Sequence, residues 1–267
     1  MAGKHIVIPD IQARPGEILN HCEWIGKYIE EKMPTAVINI GDHADMTSLS
    51  SWDRGKLQFE GRRFEKDIAA SDLANDLIWA PVFETGAHAD IEKHLTTGNH
   101  EYRIDRFVER NPELAGFVDV DKLGYDHYSD HVHKYLVPVT IDGVTYCHFF
   151  YNPMTGKPWG GMIETRIKNV GFSFTMGHQQ GLQYGMRTLA TGKILHGMIA
   201  GSCYLHYEEY KGPQANDHWR GIVMKYGVQN GDYDVKFVRL DSLCERYEGM
   251  SLAQFMKKTD LHIGVDE

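Results

Sequence analysis

The chain contains 267 residues, 42% hydrophobic and 24% charged, and its 28 Lys and Arg against 37 Asp and Glu give a formal net charge of −9. This composition is typical of a folded protein and excludes an intrinsically disordered chain. The apolar runs are short, so we expect neither a membrane span nor a signal peptide. The acidic balance argues against broad electrostatic adhesion to DNA.

The first half of the chain alternates predicted strands and helices. In chain order we predict a strand over Lys4–Pro9, a helix over Glu17–Met33, a strand over Thr35–Ile40, a helix over Phe64–Ala80, a strand near His94–Thr97 and a helix over Glu101–Arg110. The strand–helix–strand opening implies two parallel strands joined by a right-handed crossover.

The second half is rich in strands. The turns Asp142-Gly143 and Asn230-Gly231 predict hairpins that join Leu136–Ile141 to Val144–Phe149 and Arg220–Gly227 to Tyr233–Leu240. Further strands are predicted over Phe172–Met176 and Lys193–Ser202. No repeat or Pro/Gly linker interrupts the chain. We therefore expect one domain over residues 1–267, an α/β fold in which two mixed sheets pack face to face with helices outside.

The cysteines are scattered without a C-x-x-C pair. They are Cys22, Cys147, Cys203 and Cys244. This spacing favours neither a disulfide framework nor a zinc knuckle and fits a reducing compartment, so we predict a cytoplasmic protein. Strand alternation predicts that Cys147 is a core thiol on the face opposite to His148.

Polar residues recur directly after the predicted strands. The clusters are Asp10-Ile11-Gln12, Gly41-Asp42-His43-Ala44-Asp45, Gly98-Asn99-His100-Glu101, His148 and Gly177-His178-Gln179-Gln180. Ligands bind beyond the carboxyl ends of strands in layered α/β folds, so the five clusters predict one composite site. Gly41, Gly98 and Gly177 each precede a polar residue, where the backbone must turn and approach a ligand. An ordinary turn explains any one of these glycines equally well.

The order of these clusters resembles the calcineurin-like metallophosphoesterase family. Its motifs run D-x-H, G-D-x-x-D, G-N-H-D/E, a lone His and G-H-x-H, and residues 10–180 follow the same order over about two-thirds of the chain. The resemblance implies a four-layer double β-sandwich flanked by helices. It also implies a two-metal site that clamps a phosphate and activates a water molecule.

The resemblance assigns metal ligands residue by residue. Asp42 would bridge both divalent ions, Asp10 would hold the first ion, and Asn99, His148 and His178 would hold the second. The alternative for all five is a set of solvated loop positions.

The same resemblance assigns a catalytic pair. His100 matches the family's catalytic histidine, which is not a ligand but stabilises the phosphoryl group or protonates the leaving oxygen. Asp45 would orient His100 through the other ring nitrogen. The alternative for His100 is a structural histidine held by hydrogen bonds.

Two positions depart from the family pattern. Gln12 and Gln180 stand where the family usually has His. A neutral amide oxygen is a weaker and harder ligand than imidazole, so we expect a loosely held first ion, with Mn²⁺ the first candidate and Mg²⁺, Ni²⁺ or Zn²⁺ as others. Either glutamine could instead reach the ion through water. Family branches that we associate with bacteriophages tolerate Gln here, which keeps catalysis open.

Several further residues are candidates for substrate contacts. His206 and Trp219 flank the long segment Tyr207–Arg220 and are predicted to shape the substrate cleft, with an oligomer contact or loop packing as alternatives. Tyr102 and Arg103 could touch substrate, although an exposed helix face is the favoured interpretation. The basic residues Arg54, Lys56, Arg62, Arg63 and Lys66 fit phosphate contacts and a solvated helix face equally well.

A His-rich run covers residues 126–133 and includes His127, His131 and His133. It could hold a further metal ion, but we favour a surface loop.

The leading hypothesis is a metal-dependent phosphoesterase that acts on a phosphodiester or nucleotide, with single-stranded nucleic-acid ends among the candidate partners. A DNA-end nuclease and a phosphomonoesterase are the other enzymatic alternatives. The lack of Arg-Gly after Asp45 argues against a phosphoprotein substrate. The two glutamines motivate a non-enzymatic alternative, a metal-binding protein that sequesters a nucleotide or a partner. The oligomeric state is left open.

Overall fold

The computed structural model of the protein describes residues 2–208 and 217–263. The strands are β1 (Gly3–Ile8), β2 (Ala36–Asn39), β3 (Glu92–Thr96), β4 (His131–His133), β5 (Val139–Ile141), β6 (Val144–Tyr146), β7 (Tyr151–Asn152), β8 (Lys157–Pro158), β9 (Phe174–Met176), β10 (Leu182–Thr188), β11 (Ile194–Ala200), β12 (Gly221–Gln229) and β13 (Asp232–Arg239). The α-helices are α1 (Asn20–Lys32), α2 (Phe64–Glu84), α3 (Tyr102–Arg110), α4 (Ile163–Val170), α5 (Leu240–Glu248) and α6 (Leu252–Ile263).

Within these ranges, the larger sheet has six strands in the order β13-β12-β1-β2-β3-β4. Strands β1 to β4 run parallel, whereas β12 is antiparallel to β1 and to β13. Helix α1 connects β1 to β2 and α2 lies between β2 and β3, as parallel neighbours require. The carboxyl ends of β1, β2 and β3 therefore lie at one edge of the sheet, where three of the polar clusters begin.

The second sheet has the order β10-β11-β9-β6-β5. Strands β6, β9 and β11 run parallel, and β5 and β10 add antiparallel edges. Strands β7 and β8 form a separate small hairpin. Because β6 and β9 are parallel neighbours, the loops that carry His148 and His178 leave the second sheet side by side.

One buried core joins the facing sides of the two sheets. Val7 and Ile38 of the larger sheet pack in a single cluster with Val144, Tyr146 and Met198 of the second, and all five side chains are fully buried. Each contributes roughly 1.5–3 kcal/mol through the apolar surface it removes from water. Helices α1, α2 and α5 cover the outer face of the larger sheet, and α4 covers the second. The predicted α/β fold with two mixed sheets is confirmed.

Every strand and helix predicted from the sequence is present, with ends shifted by a few residues. The predicted core position of Cys147 is confirmed, since this thiol is buried. Helix α2 differs most, because it continues to Glu84 although Pro81 lies inside it. Helix α1 packs so closely on α2 that a Cβ atom at Gly26 would collide with the carbonyl of Ile78. This close packing holds α2 helical where local propensity alone would end it.

The prediction of a surface loop for the His-rich run is wrong. His131–His133 forms strand β4 at the edge of the larger sheet, and His127 lies in a short 3-10 turn. The carbonyl of His133 accepts the backbone N–H of Thr97 at 2.9 Å. A strand of three residues is too short to show alternation in the sequence, and its pairing with β3 comes from the tertiary fold.

Local patterns also failed to predict strand β10 and helices α4, α5 and α6. Strand β10 is a half-exposed edge strand with mixed polarity, so it lacks a buried apolar run. None of the described helices is both long and apolar enough to cross a membrane.

Candidate functional site

The polar loops after β1, β2 and β9 share a rare backbone conformation. Asp10, Gln12, Asp42, His178 and Gln180 have positive φ angles of 21°, 47°, 49°, 68° and 58°. Side chains disfavour this region, so such residues persist only where the surrounding structure imposes them, and they concentrate at functional sites. All five are residues that the sequence predicted as metal ligands.

Two of the glycines that precede polar residues are required by close approach. A Cβ atom at Gly98 would collide with the carboxylate of Asp42, and one at Gly177 would collide with the carboxylate of Asp10. The loops can therefore converge only with glycine at these positions. The functional interpretation of these two glycines is supported over an ordinary turn.

Acceptor atoms from four residues converge at the candidate position for the second ion. Nε2 of His148 lies 3.3 Å from Oδ2 of Asp42 and 3.0 Å from Oδ1 of Asn99, and Nδ1 of His178 lies 2.6 Å from the same Asn99 oxygen. Nδ1 of His148 donates to the carbonyl of Ile40 at 2.9 Å, which leaves Nε2 with its lone pair toward the cluster. Two imidazoles, a carboxylate and an amide oxygen are a ligand set that fits a divalent transition metal ion.

The candidate position for the first ion has buried oxygens without hydrogen bonds. Among the described residues, neither Oδ2 of Asp10 nor Oε1 of Gln12 has a hydrogen-bond partner. Buried oxygens of this kind are costly unless a cation or a donor meets them, so this pair also fits an ion. Oε1 of Gln180 instead accepts the hydroxyl of Tyr204 at 2.9 Å. The contacts thus favour Gln12 over Gln180 as a direct ligand.

Buried charge dominates the electrostatics of the cluster. Burial raises the pKa of Asp10 to about 7, although the nearby His148 opposes the rise. Burial disfavours a charged His148, but the Asp42 carboxylate outweighs this effect and raises the pKa of His148 to about 9. Burial and the charge of His148 lower the pKa of His178 to about 4. Two carboxylates therefore share too little positive charge, and a cation would supply the difference.

His100 lies beside this cluster and opens toward solvent. Its backbone N–H donates to Oδ1 of Asp42 at 2.9 Å, and its Nδ1 lies 2.7 Å from Oδ1 of Asp45. Its Nε2 accepts from Nη2 of Arg103 at 3.0 Å. Burial opposes protonation, but the Asp42 and Asp45 carboxylates raise the pKa of His100 above its usual value. The ring is thus oriented by Asp45, as the sequence predicted, and can carry a proton at Nε2.

Arg103 and Tyr102 do not form the exposed helix face that the sequence favoured. The guanidinium of Arg103 reaches His100 and donates to the carbonyl of Asp45 at 2.7 Å. Tyr102 stacks on Tyr135 with ring centroids 4.7 Å apart. The (i, i+3) spacing of His100 and Arg103 at the start of α3 brings the two side chains together.

Glu101 is a buried organiser of the site that the sequence analysis left without a role. Its carboxylate accepts the backbone N–H groups of Gly98, Ala44 and Asp42 at 2.7, 3.0 and 3.1 Å, and the hydroxyl of Tyr125 at 3.1 Å. It therefore ties the loop after β2 to the loop after β3. Its place as the last letter of G-N-H-E is the signal that could have identified it.

A cleft of about 940 Å³ opens beside His100. The cationic side chains on its wall are Arg14, Lys56, Arg62, Arg63, Lys66 and Arg103. Four of the five predicted basic residues thus line the cleft, and Arg54 lines a smaller pocket next to it. Most of them lie in turns before α2, so the alternative of a solvated helix face is wrong for these residues. Asp53 pairs with Arg62 at 2.8 Å and with Lys56 at 3.2 Å.

The two residues predicted to bind substrate occupy different places. His206 is buried and stacks on Tyr204, and its Nε2 lies 3.5 Å from Oε1 of Glu208, a residue of the cleft wall. Trp219 packs edge-on against Phe237 in the core between the sheets, so its predicted substrate role is not supported by its contacts. Residues 209–216 of the segment between them lie outside the described residues.

The carboxylates of Asp45 and Glu208 meet on Arg14. The guanidinium lies 2.5 Å from Oδ2 of Asp45 and 3.0 Å from Oε1 of Glu208. Asp45, His206 and Glu208 have the spacing of a metal site, but Arg14 already neutralises this group. The cluster instead fixes Asp45 behind His100.

No protein-family model and no curated protein matches the chain.

Proposed function

We propose that this chain is a metal-dependent phosphoesterase that hydrolyses a phosphodiester or a nucleotide, with the two-sheet fold arranged as the double β-sandwich of the calcineurin-like family. The observation that carries the proposal is the convergence of unpaired acceptor atoms on both sides of Asp42, next to a histidine that faces a basic cleft. Metal ligands, proton donor and anion-binding wall are the three parts that phosphoester hydrolysis requires.

Asp42 would be shared by two divalent ions, with Mn²⁺ the first candidate. Asp10 and Gln12, and less directly Gln180, would hold one ion, while Asn99, His148 and His178 would hold the other. When bound, the two ions would neutralise the charge of the phosphate and favour a hydroxide nucleophile. The protein fixes the ligands through the imposed backbone conformation of their loops and through the carboxylate of Glu101.

His100 would donate a proton from Nε2 to the leaving oxygen. Asp45 holds Nδ1 and, together with Asp42, favours the imidazolium form. Arg103 contacts Nε2 of His100 and could move onto a phosphate oxygen when substrate enters. Asp45, His100 and Arg103 thus form one unit at the base of the cleft.

The cleft favours a substrate with more than one negatively charged group. Arg63 and Lys66 are exposed on its wall, whereas Arg62 and Lys56 are partly neutralised by Asp53. A chain of net charge −9 repels a long polyanion except where cations cluster, so a nucleotide or a short single-stranded end fits better than duplex DNA. A DNA-end nuclease and a phosphomonoesterase are narrower versions of the same proposal.

The second candidate function is sequestration of a nucleotide or partner without turnover. The hydrogen bond from Tyr204 to Gln180 favours it, because it engages one of the few ligands left to the first ion. In this alternative the site would bind metal and nucleotide but would lack the second ion needed for hydrolysis.

Turnover of bis-p-nitrophenyl phosphate distinguishes the two functions. We expect hydrolysis that depends on added Mn²⁺, Mg²⁺, Ni²⁺ or Zn²⁺ and is abolished by Asp42→Asn. His127→Asn, on an exposed turn, is the matched control and should retain wild-type rates. Tight nucleotide binding without turnover in any of the four metals would reject the enzyme and support sequestration.

A further inference from the structure

A group of four side chains lies on one face of the strand pair β3–β4, apart from the site described above. In the parallel register His94 is the partner of His131, and Thr96 is the partner of His133. Because side chains alternate along a strand, Glu92 and His94 of β3 share a face with His131 and His133 of β4. We call these four residues the edge histidine cluster.

The side chains of the edge histidine cluster are close enough to share one ion. Oε1 of Glu92 lies 3.3 Å from Nε2 of His94 and 3.2 Å from Nε2 of His131. The rings of His94 and His131 stack with centroids 4.8 Å apart. One carboxylate oxygen and two imidazole nitrogens thus converge.

His94 supplies an independent sign of a ligand. Its side chain is only 5% exposed, and its Nε2 has no hydrogen bond to a described residue. Its other ring nitrogen, Nδ1, lies 3.1 Å from Nε2 of His133. If Nδ1 carries the proton and donates it to His133, Nε2 directs a lone pair toward Glu92 and His131. This is the arrangement in which an outer partner orients a metal-binding histidine.

We infer that Glu92, His94 and His131 bind a divalent transition metal ion, Zn²⁺ first among them, with His133 as the outer partner of His94. Two histidines and one carboxylate are a common protein ligand set for Zn²⁺, with a remaining position open to water. Glu92 and His131 are half exposed, so an ion can enter from solvent. The inference does not rest on the proposed hydrolase, because none of these residues belongs to the candidate active site.

The backbone beside the edge histidine cluster holds the ligands in place. Lys93 Nζ lies 2.8 Å from Oδ2 of Asp130, and the backbone N–H of Lys93 donates to the same oxygen at 2.9 Å. The N–H of Asp130 donates back to the carbonyl of Lys93 at 2.9 Å. These bonds fix the start of β4 against β3, so the two strands present preformed ligands.

Calorimetry with Zn²⁺ tests the inference on the full chain with Asp42→Asn and His148→Gln, which remove two ligands of the candidate active site. We expect one equivalent of Zn²⁺ to remain bound. Adding His131→Gln should weaken this binding at least 100-fold, and adding His133→Gln should weaken it about 10- to 100-fold. Adding His127→Gln, from the same His-rich run, should leave it unchanged.

Absence of Zn²⁺ binding in the double variant, or binding that survives His131→Gln, would overturn the inference. Anomalous scattering from Zn²⁺-soaked crystals of the unmutated chain gives a second readout that does not depend on the folding of any variant. A peak between Glu92, His94 and His131 supports the site, and a peak at the candidate active site alone rejects it.

Discussion

Nδ1 of His100 lies 2.7 Å from Oδ1 of Asp45, and this contact decides which ring nitrogen faces the cleft. Asp45 is itself buried and is held by the guanidinium of Arg14. The carboxylate therefore cannot follow the ring if His100 moves. Nε2 is left toward the cleft and toward Arg103, where a leaving oxygen would lie.

This geometry predicts separate effects on catalysis and metal binding. His100→Asn should reduce the rate of phosphodiester hydrolysis about 10²- to 10⁴-fold, the usual contribution of a general acid, while metal content stays unchanged. Rate and metal content should be measured on one preparation, with His127→Asn as the control. Loss of metal together with activity would show that His100 is a ligand.

The two candidate ion positions should differ in affinity. Asp42, Asn99, His148 and His178 include two imidazoles, which hold transition metals better than neutral amides do. This position should fill first in a Mn²⁺ titration by calorimetry, and activity should require excess metal. Equal occupancy at limiting metal would contradict this order.

Replacing the glutamines tests the same difference from the other side. Gln12→His and Gln180→His together should tighten the weaker position and lower the Mn²⁺ concentration that gives half-maximal activity. Because Oε1 of Gln180 is engaged by Tyr204, we expect Gln12→His alone to provide most of the gain. An unchanged titration in both variants would show that neither side chain lies near the ion.

The basic wall of the cleft should control substrate affinity rather than chemistry. Arg63→Ala with Lys66→Ala should raise KM for a short single-stranded oligonucleotide and leave kcat nearly unchanged. The dependence of log K on log salt concentration should flatten by about 0.7 per lost phosphate contact. Lys157→Ala, on exposed strand β8, is the matched control. Tight, strongly salt-dependent binding to plain duplex DNA would contradict the predicted preference for small substrates.

Stability should fall in weak acid because of His21, which lies far from the catalytic residues in sequence and is buried. Burial lowers its pKa to about 3, and the charge of His206 adds to the effect. The unfolded chain binds a proton near pH 6.5 and the folded chain does not, so the stabilisation present above pH 6.5 is lost as the pH falls. Urea unfolding in EDTA should show a slope between pH 6 and 4 about 1.4 kcal/mol per pH unit steeper than in His21→Gln. Equal slopes would place the acid sensitivity elsewhere.

The sequence by itself determined the strand–helix–strand opening, both hairpins and the order of the polar clusters. It could do so because Asp10, Asp42 and Asn99 follow buried strands that are parallel neighbours, and the ends of such strands meet by geometry alone. The glycines before Asn99 and His178 carry the same information, since only glycine permits the close approach of the loops.

Only the tertiary structure decided the contacts between side chains that the sequence separates. The packing of the sheets places Trp219 in the core rather than in the cleft, and pairing with β3 turns His131–His133 into a strand. Four donors on four different residues meet the carboxylate of Glu101. These outcomes depend on the positions of distant partners, which burial and hydrogen-bond satisfaction fix only after the sheets have packed.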